Sequence, residues 1–434
     1  MPRTDTPPHG TTPQPDTASL LELTALPTGP GMERRVIDRI RDWARARPGI
    51  ARREDPHGNL ELSLEHAPPS ERPVCFTAHL DHPAFCVIRA CAPTVLEAEF
   101  RGGVMADYFP GAAVEWIPAD PGDAPIRGTV AGEGDQTDPR RSWIIELDTE
   151  ADAAPGDLIR WALPDAEIAT ETLMTGATGP MLRTDACDDL AALASALEAL
   201  DRLRTRSRAG EAIPDTRVLL TRGEEIGFLG AIAAAQSGFI PRAARLLALE
   251  TSRSYPDSPI GGGPIARVGD RLSTFSPGLT AAVCRVARTL TGADAEPRST
   301  EKQPSDARPW QRKLMPGGAC EASVYCAYGF DATCVCLPLG NYHNMADLTA
   351  VQAGTNTEPP RLEREYIAID DYATMTDLLE ACATELEDAP DLRPKFERLW
   401  HESGGVLGQP PEPTSDATHN PPGRSPSPGT ERSG

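Results

Sequence analysis

No apolar run in this chain approaches the ~20 residues that a membrane-spanning helix needs. The opening segment, MPRTDTPPHGTTPQPDTASL, lacks the apolar core of a secretory signal. Neither a membrane anchor nor export is therefore expected, and a cytoplasmic location follows by default. Positive charge is also scarce: 42 Lys and Arg stand against 64 Asp and Glu, a net charge of −22. That balance argues against gripping a nucleic-acid backbone, which needs clustered cations, and against an electrostatic anchor on anionic membrane. An acidic surface favours solubility but selects no substrate. The ten cysteines include no C-x-x-C pair, so neither a zinc knuckle nor a disulfide scaffold is indicated. Cys334 and Cys336 alternate along a predicted buried strand and read as small hydrophobes.

What is present suits a globular α/β protein. The 434 residues are 39% hydrophobic, enough for a substantial core. Residues 1–16 and 403–434 are rich in Pro, Ser, Thr and Gly without apolar periodicity and read as disordered tails. Between them, helical and strand patterns alternate. PVCFTA (73–78), TRVLLT (216–221) and AARLLAL (243–249) read as buried strands, and DDLAALASALEALDRL (188–203) as an Ala/Leu helix. Residues 86–175 differ: short β-like segments such as VLEAEF, AAVEWI and SWIIELD are separated by Gly, Pro and Asp turns. The expected organisation is a catalytic domain of 17–85 and 176–402, with 86–175 inserted as a small β-rich domain.

Polar clusters follow directly on several of these apolar segments: His79-Leu80-Asp81, Asp188-Asp189, Glu224-Glu225, Glu250, and Asn341-Tyr342-His343. In open α/β sheets, ligand sites lie beyond the carboxyl ends of the strands, so separate segments can converge on one crevice. Two imidazoles and several carboxylates, without thiolates, suit zinc or another first-row divalent ion. Each cluster alone is weak, since a Glu-Glu pair is commonly just a helix start favoured by the macrodipole.

The order of motifs resembles the tetrahedral aminopeptidase and glutamyl aminopeptidase family of co-catalytic zinc peptidases. AHLD (78–81), ACDDLAALASALEAL (186–200), GEEIGFLGA (223–231), ALET (248–251), GGGPIARVGD (261–270) and NYHNM (341–345) carry the likeness, which spans about residues 19–386. It implies a central mixed sheet flanked by helices in a three-layer sandwich. It also implies an aminopeptidase that removes N-terminal residues from peptides through a two-metal-activated water. The ions would be zinc, with cobalt or manganese as alternatives. His79, Asp188 and Glu250 would hold one, Asp188, Glu225 and His343 the other, with Asp188 bridging. Glu224 would be the general base, and the Asp81 carboxylate would receive the second ring N–H of His79. A cis peptide between Asp188 and Asp189 and self-association into hollow oligomers are implied too. A deacylase or carboxypeptidase of the same clan and a non-catalytic relative are the alternatives.

The chain also departs from that pattern. Glu250 replaces the usual Asp, and GGACEA (317–322) stands in a loop of the substrate pocket, so selectivity does not transfer. Arg222 stands where Gln is common, and the segment from about 349 to 363 is longer than expected. His82 takes a position that is often acidic, with substrate contact and surface placement both open. Asp189 is read as the N-terminal charge of its helix.

Overall fold

A computed structural model describes residues 14–120, 122–135, 141–295, 304, 307–388 and 391–407. Positions 1–13 and 408–434, which hold most of both expected tails, lie outside these. Helices α1 (Thr17–Thr24) and α2 (Arg34–Arg45) precede β1 (Ile50–Glu54), β2 (Leu60–Leu64) and β3 (Val74–His79). Six strands follow without an α-helix: β4 (Ala84–Ala92), β5 (Val95–Arg101), β6 (Ala113–Ile117), β7 (Ile126–Glu133), β8 (Ser142–Leu147) and β9 (Leu158–Trp161). The hairpin β10 (Glu167–Thr172) and β11 (Thr178–Thr184) leads to α3 (Leu190–Arg208). Alternation then resumes with β12 (Thr216–Thr221), α4 (Leu229–Ser237), β13 (Arg245–Arg253), β14 (Ile265–Gly269), α5 (Pro277–Thr291) and β15 (Gln311–Leu314). The last elements of this unit are α6 (Glu321–Ala327), β16 (Asp331–Leu339), α7 (Leu348–Ala353), β17 (Glu365–Ala368) and α8 (Ile369–Glu385). The described residues 391–407 belong to a separate unit, in which α9 (Arg393–Ser403) runs into the 3-10 turn Gly404–Leu407, so the first residues of the expected C-terminal tail are helical.

The main sheet has the order β1-β2-β12-β3-β13-β16-β14-β15 and is mixed. Strands β12, β3, β13 and β16 are parallel, while β2 and β14 run against their neighbours β12 and β16. Period-2 alternation sorts their side chains into two layers. Phe76, Val218 and Leu247 join the core under α3, α5 and α8; Cys75, Leu219 and Leu246 join that under α4 and α6. Helix α3 is apolar on nearly every side at its N-terminal half because it lies between the sheet and α1 and α8.

Strands β4 to β9 close into a barrel in the order β4-β5-β8-β7-β6-β9. Strand β10 lies outside it, pairing with β11, which in turn pairs with β17 in a three-stranded sheet. Phe109 fills the barrel centre, fully buried, stacked on Trp143 at 4.1 Å between ring centroids and edge-on to Phe85, Phe100 and Trp161. Phe109→Ala should cost about 3–5 kcal/mol of stability. Chemical denaturation followed by tryptophan fluorescence checks this, because the cavity opens between Trp143 and Trp161.

Candidate metal centre

The main sheet delivers its polar residues to one end. His79 closes β3, beside Thr221 at the end of the parallel strand β12, after which the chain turns through Glu224 and Glu225. Glu250 projects from β13 near its carboxyl end. Asp188 lies in the turn before α3, joined to Asp189 by a cis peptide bond. His343 sits in the 3-10 turn Tyr342–Asn344 after β16. Glu224 and Glu225 do not begin a helix. They occupy a loop in which the Gly227 and Phe228 N–H groups donate to the Glu224 carbonyl, and α4 starts only at Leu229.

These residues meet. His79, Glu224 and Glu250 each offer a ligand atom within 4.8 Å of the others, and so do Asp188, Glu225 and His343. Asp188 joins the two groups: Oδ1 lies 3.3 Å from His79 Nε2, and Oδ2 lies 3.5 Å from His343 Nε2, which is also 3.1 Å from Glu225 Oε1. Glu224 thus stands among the potential ligands, beside its expected place as base.

Both imidazoles are held with Nε2 facing inward. The His79 Nδ1–H donates to the backbone carbonyl of Asp81 at 3.0 Å, and the His343 Nδ1–H donates to the carbonyl of Gly103 at 2.8 Å. A carbonyl can only accept, so each ring carries a proton on Nδ1 and turns Nε2 to the site. The Nε2 of His79 and Oδ1 of Asp188 are both buried without a hydrogen-bond partner. With Nε2 unprotonated, as metal ligation requires, two lone-pair atoms face each other at 3.3 Å and repel unless a cation lies between them. The residues therefore fit a pair of divalent ions: two nitrogen and several carboxylate donors, thiolates excluded.

The electrostatics agree. Burial pushes the carboxyls of Glu224 and Glu250 well above their ordinary range, and neighbouring carboxylates add to the rise. Burial opposes ionisation of Asp188 as well, but positive charge on the two facing imidazoles would hold it below the usual range. A site this crowded with acids is what bound cations would relieve.

Asp81 acts differently from expectation. Its carboxylate, fully buried, does not take the ring N–H of His79; Oδ1 and Oδ2 accept the backbone N–H groups of Glu224 and Glu225 at 3.0 and 3.1 Å. It thereby clamps the loop that carries both acids. Asp189 is likewise no simple helix-start charge, because it is buried and accepts the His79 backbone N–H at 3.3 Å. His82 is neither at the surface nor free to meet substrate: it is buried, with Nδ1–H donating to the Asp188 carbonyl and Nε2 3.0 Å from Asn344 Oδ1.

Two residues that the motifs did not single out complete the frame. Glu365, fully buried at the start of β17, accepts the backbone N–H of Asp188 through Oε2 and that of His343 through Oε1, at 2.9 and 2.8 Å. Glu33, at the entrance to α2, accepts the Gly223 N–H and pairs with Arg222. Neither had a sequence signal, since the Gly223, Asp188 and His343 amides and the Arg222 guanidinium that they meet lie elsewhere in the chain.

No protein-family model matches this chain, and no curated protein matches it in sequence. Solved structures do match. The TET1 peptidase of Pyrococcus horikoshii superposes with a TM-score of 0.64 at 17% identity, over 85% of this chain and 99% of that one. Aminopeptidase APDkam598 from the archaeon Desulfurococcus kamchatkensis gives 0.63 at 18%, over 86% and 94%. A TET aminopeptidase from a marine-sediment thaumarchaeote gives 0.63 at 17%, over 86% and 97%. The chain is similar to these proteins across nearly their whole length, and its fold is that of the TET aminopeptidases.

Proposed function

We propose that this chain is a metal-dependent aminopeptidase that hydrolyses the N-terminal residue from peptides. The observation that carries the reading is the meeting of two ligand groups across one carboxylate, with His79 Nε2 and Asp188 Oδ1 buried and unpartnered. His79, Asp188 and Glu250 would hold one ion and Asp188, Glu225 and His343 the other, with zinc the expected metal and cobalt or manganese the alternatives. When bound, the ions would polarise the scissile carbonyl and acidify the attacking water.

The remaining steps fall to the chain's own groups. Glu224 is the general base: it takes the proton from water and passes it to the leaving amine. Asp81 positions the Glu224–Glu225 loop, and Glu365 and His82 position the backbones of the flanking ligands. The same reading treats residues 86–175 as an inserted β-rich domain on a catalytic domain of 17–85 and 176–402. The P. horikoshii TET1 peptidase can assemble into a tetrahedron or a large octahedral shell, and we extend self-association to this chain. A cytoplasmic location agrees with the finding that no helix among the described residues is long and apolar enough to cross a membrane.

Turnover of aminoacyl-anilides tests the reaction. Hydrolysis confined to N-acyl amino acids would replace it with a deacylase, and inactivity on both classes with no bound metal would leave a binding module. Metal analysis should find about two ions per chain, and chelation should abolish activity until a divalent ion is restored. His79→Ala or Asp188→Ala should lower metal content. Glu224→Gln should reduce kcat by roughly 10²–10⁴-fold with metal content unchanged. Loss of an ion from that variant would instead make Glu224 a ligand.

A further inference from the structure

A row of thiols lies behind the candidate metal centre. Cys334 and Cys336 are two apart on β16, so their side chains share a face, and Arg267 of β14 is the register partner of Cys334. Cys320, the residue before α6, joins them in one buried cluster with Ala248, Ile265 and Met315. None of the three cysteines has exposed surface, and all are free thiols. The Cys334 thiol hydrogen-bonds to both of the others.

A cysteine buried among apolar groups alone is inert. Arg267 sets this row apart. It is only 3% exposed, yet its Nε has no hydrogen-bond partner, and Nη1 donates to the neutral Ser252 Oγ at 3.0 Å. Among ionisable groups, Cys320, Cys334 and Cys336 act on it most strongly, ahead of Glu250. A buried cation needs an anion, and here the groups nearest to supplying one are thiols. The pairing works in both directions. Burial opposes ionisation of Cys320, but the Cys334 S–H and the Arg267 cation bring its thiol below the ordinary range. Burial and the two neighbouring thiols keep the Cys334 proton in place. Cys320 thus has the character of an attacking thiolate, and Cys334 that of the thiol that resolves it. Cys336 cannot bond to Cys334, because side chains two apart on a strand stand about 6.6 Å apart, and a disulfide spans only ~3.5–4.5 Å between Cβ atoms.

A small oxidant has a way in. A cavity of about 340 Å³ opens beside Glu250, lined by Arg267, Met315 and Gly317–Ala319, so Cys320 follows directly on its wall. We propose that Cys320 and Cys334 form a reversible disulfide when hydrogen peroxide enters this cavity. The Cys320 thiolate attacks one peroxide oxygen; the O–O bond breaks, a sulfenic acid forms and hydroxide leaves. The Cys334 sulfur then attacks the Cys320 sulfur. The S–S bond forms, and the sulfenic hydroxyl leaves as water with the Cys334 proton, two electrons having passed from the sulfurs to the peroxide. The product is uncharged, so Arg267 loses its anion at the cavity wall, and β16 becomes tied to the loop that carries Gly317–Ala319.

The test maps thiols in the full chain after treatment with hydrogen peroxide. Chymotrypsin cuts after Tyr328 and Phe330, between the two cysteines. The expected product is a pair of peptides joined through Cys320 and Cys334 and separated by dithiothreitol. In Cys334→Ser, Cys320 should stop at the sulfenic acid and be labelled by dimedone; in Cys320→Ser, Cys334 should stay a thiol. Arg267→Met should slow the linkage by roughly 10-fold, the loss of thiolate when a thiol's pKa rises by one. Free thiols at both positions in the treated wild type overturn the proposal, and sulfoxide at Met315, which lines the same cavity, shows that peroxide had arrived. Linkage of either cysteine to Cys326 overturns it as well. The wild-type map decides the matter even if a variant fails to fold. None of these readouts uses turnover, so the outcome is independent of the aminopeptidase reading.

Discussion

The organising constraint in this molecule is the Asp188 carboxylate lying between two imidazole nitrogens, one of them 3.3 Å from Oδ1 and the other 3.5 Å from Oδ2. In a buried site such an arrangement is unfavourable unless positive charge fills the gaps. Much of the surrounding structure serves to hold it. Each ring donates its Nδ1–H to a backbone carbonyl, which leaves no way for Nε2 to turn outward without losing a hydrogen bond.

Holding the arrangement falls to carboxylates that do not face the gap themselves. Asp81 grips the two amides of the Glu224–Glu225 loop, and Glu365 grips the amides of Asp188 and His343. A carboxylate receiving two backbone N–H groups orients a main chain more tightly than a neutral side chain does. The turn around His343 illustrates the need: Asn341, His343 and Asn344 all have positive φ, a conformation that side-chain-bearing residues adopt at a cost. Glu365, the Gly103 carbonyl and the stacked ring of Tyr342 over-determine that turn.

The barrel is accordingly no passive appendage. Its Gly103 carbonyl sets the tautomer of His343, and the Tyr108 hydroxyl donates to the Ala346 carbonyl at 2.6 Å, tying the barrel to the segment that leads into α7. Met345 and Leu348 belong to the barrel's own apolar core. The long connection after His343 therefore runs along the barrel, and with it forms a wall of the cavity that holds Arg253 and Arg267.

Much of this was legible in the chain before folding. Runs such as PVCFTA and TRVLLT read as buried strands, and acids and imidazoles placed just beyond them can gather at one end of a sheet, a reading that period, burial and strand direction support. The motif order then pointed to His79, Asp188, Glu224, Glu225, Glu250 and His343. What only the tertiary structure decided are contacts made to backbone. Asp81 turned to two amides instead of to an imidazole, His82 went inside to hold the Asp188 carbonyl, and Glu365 reached back to two ligands, one 177 and the other 22 residues before it in sequence. Arg267, one arginine among many in the sequence, was set on the same face as Glu250 by sheet register. Side-chain type and spacing carry the first kind of information. A backbone N–H is the same at every position, so which acid meets which amide is settled only when remote segments pack.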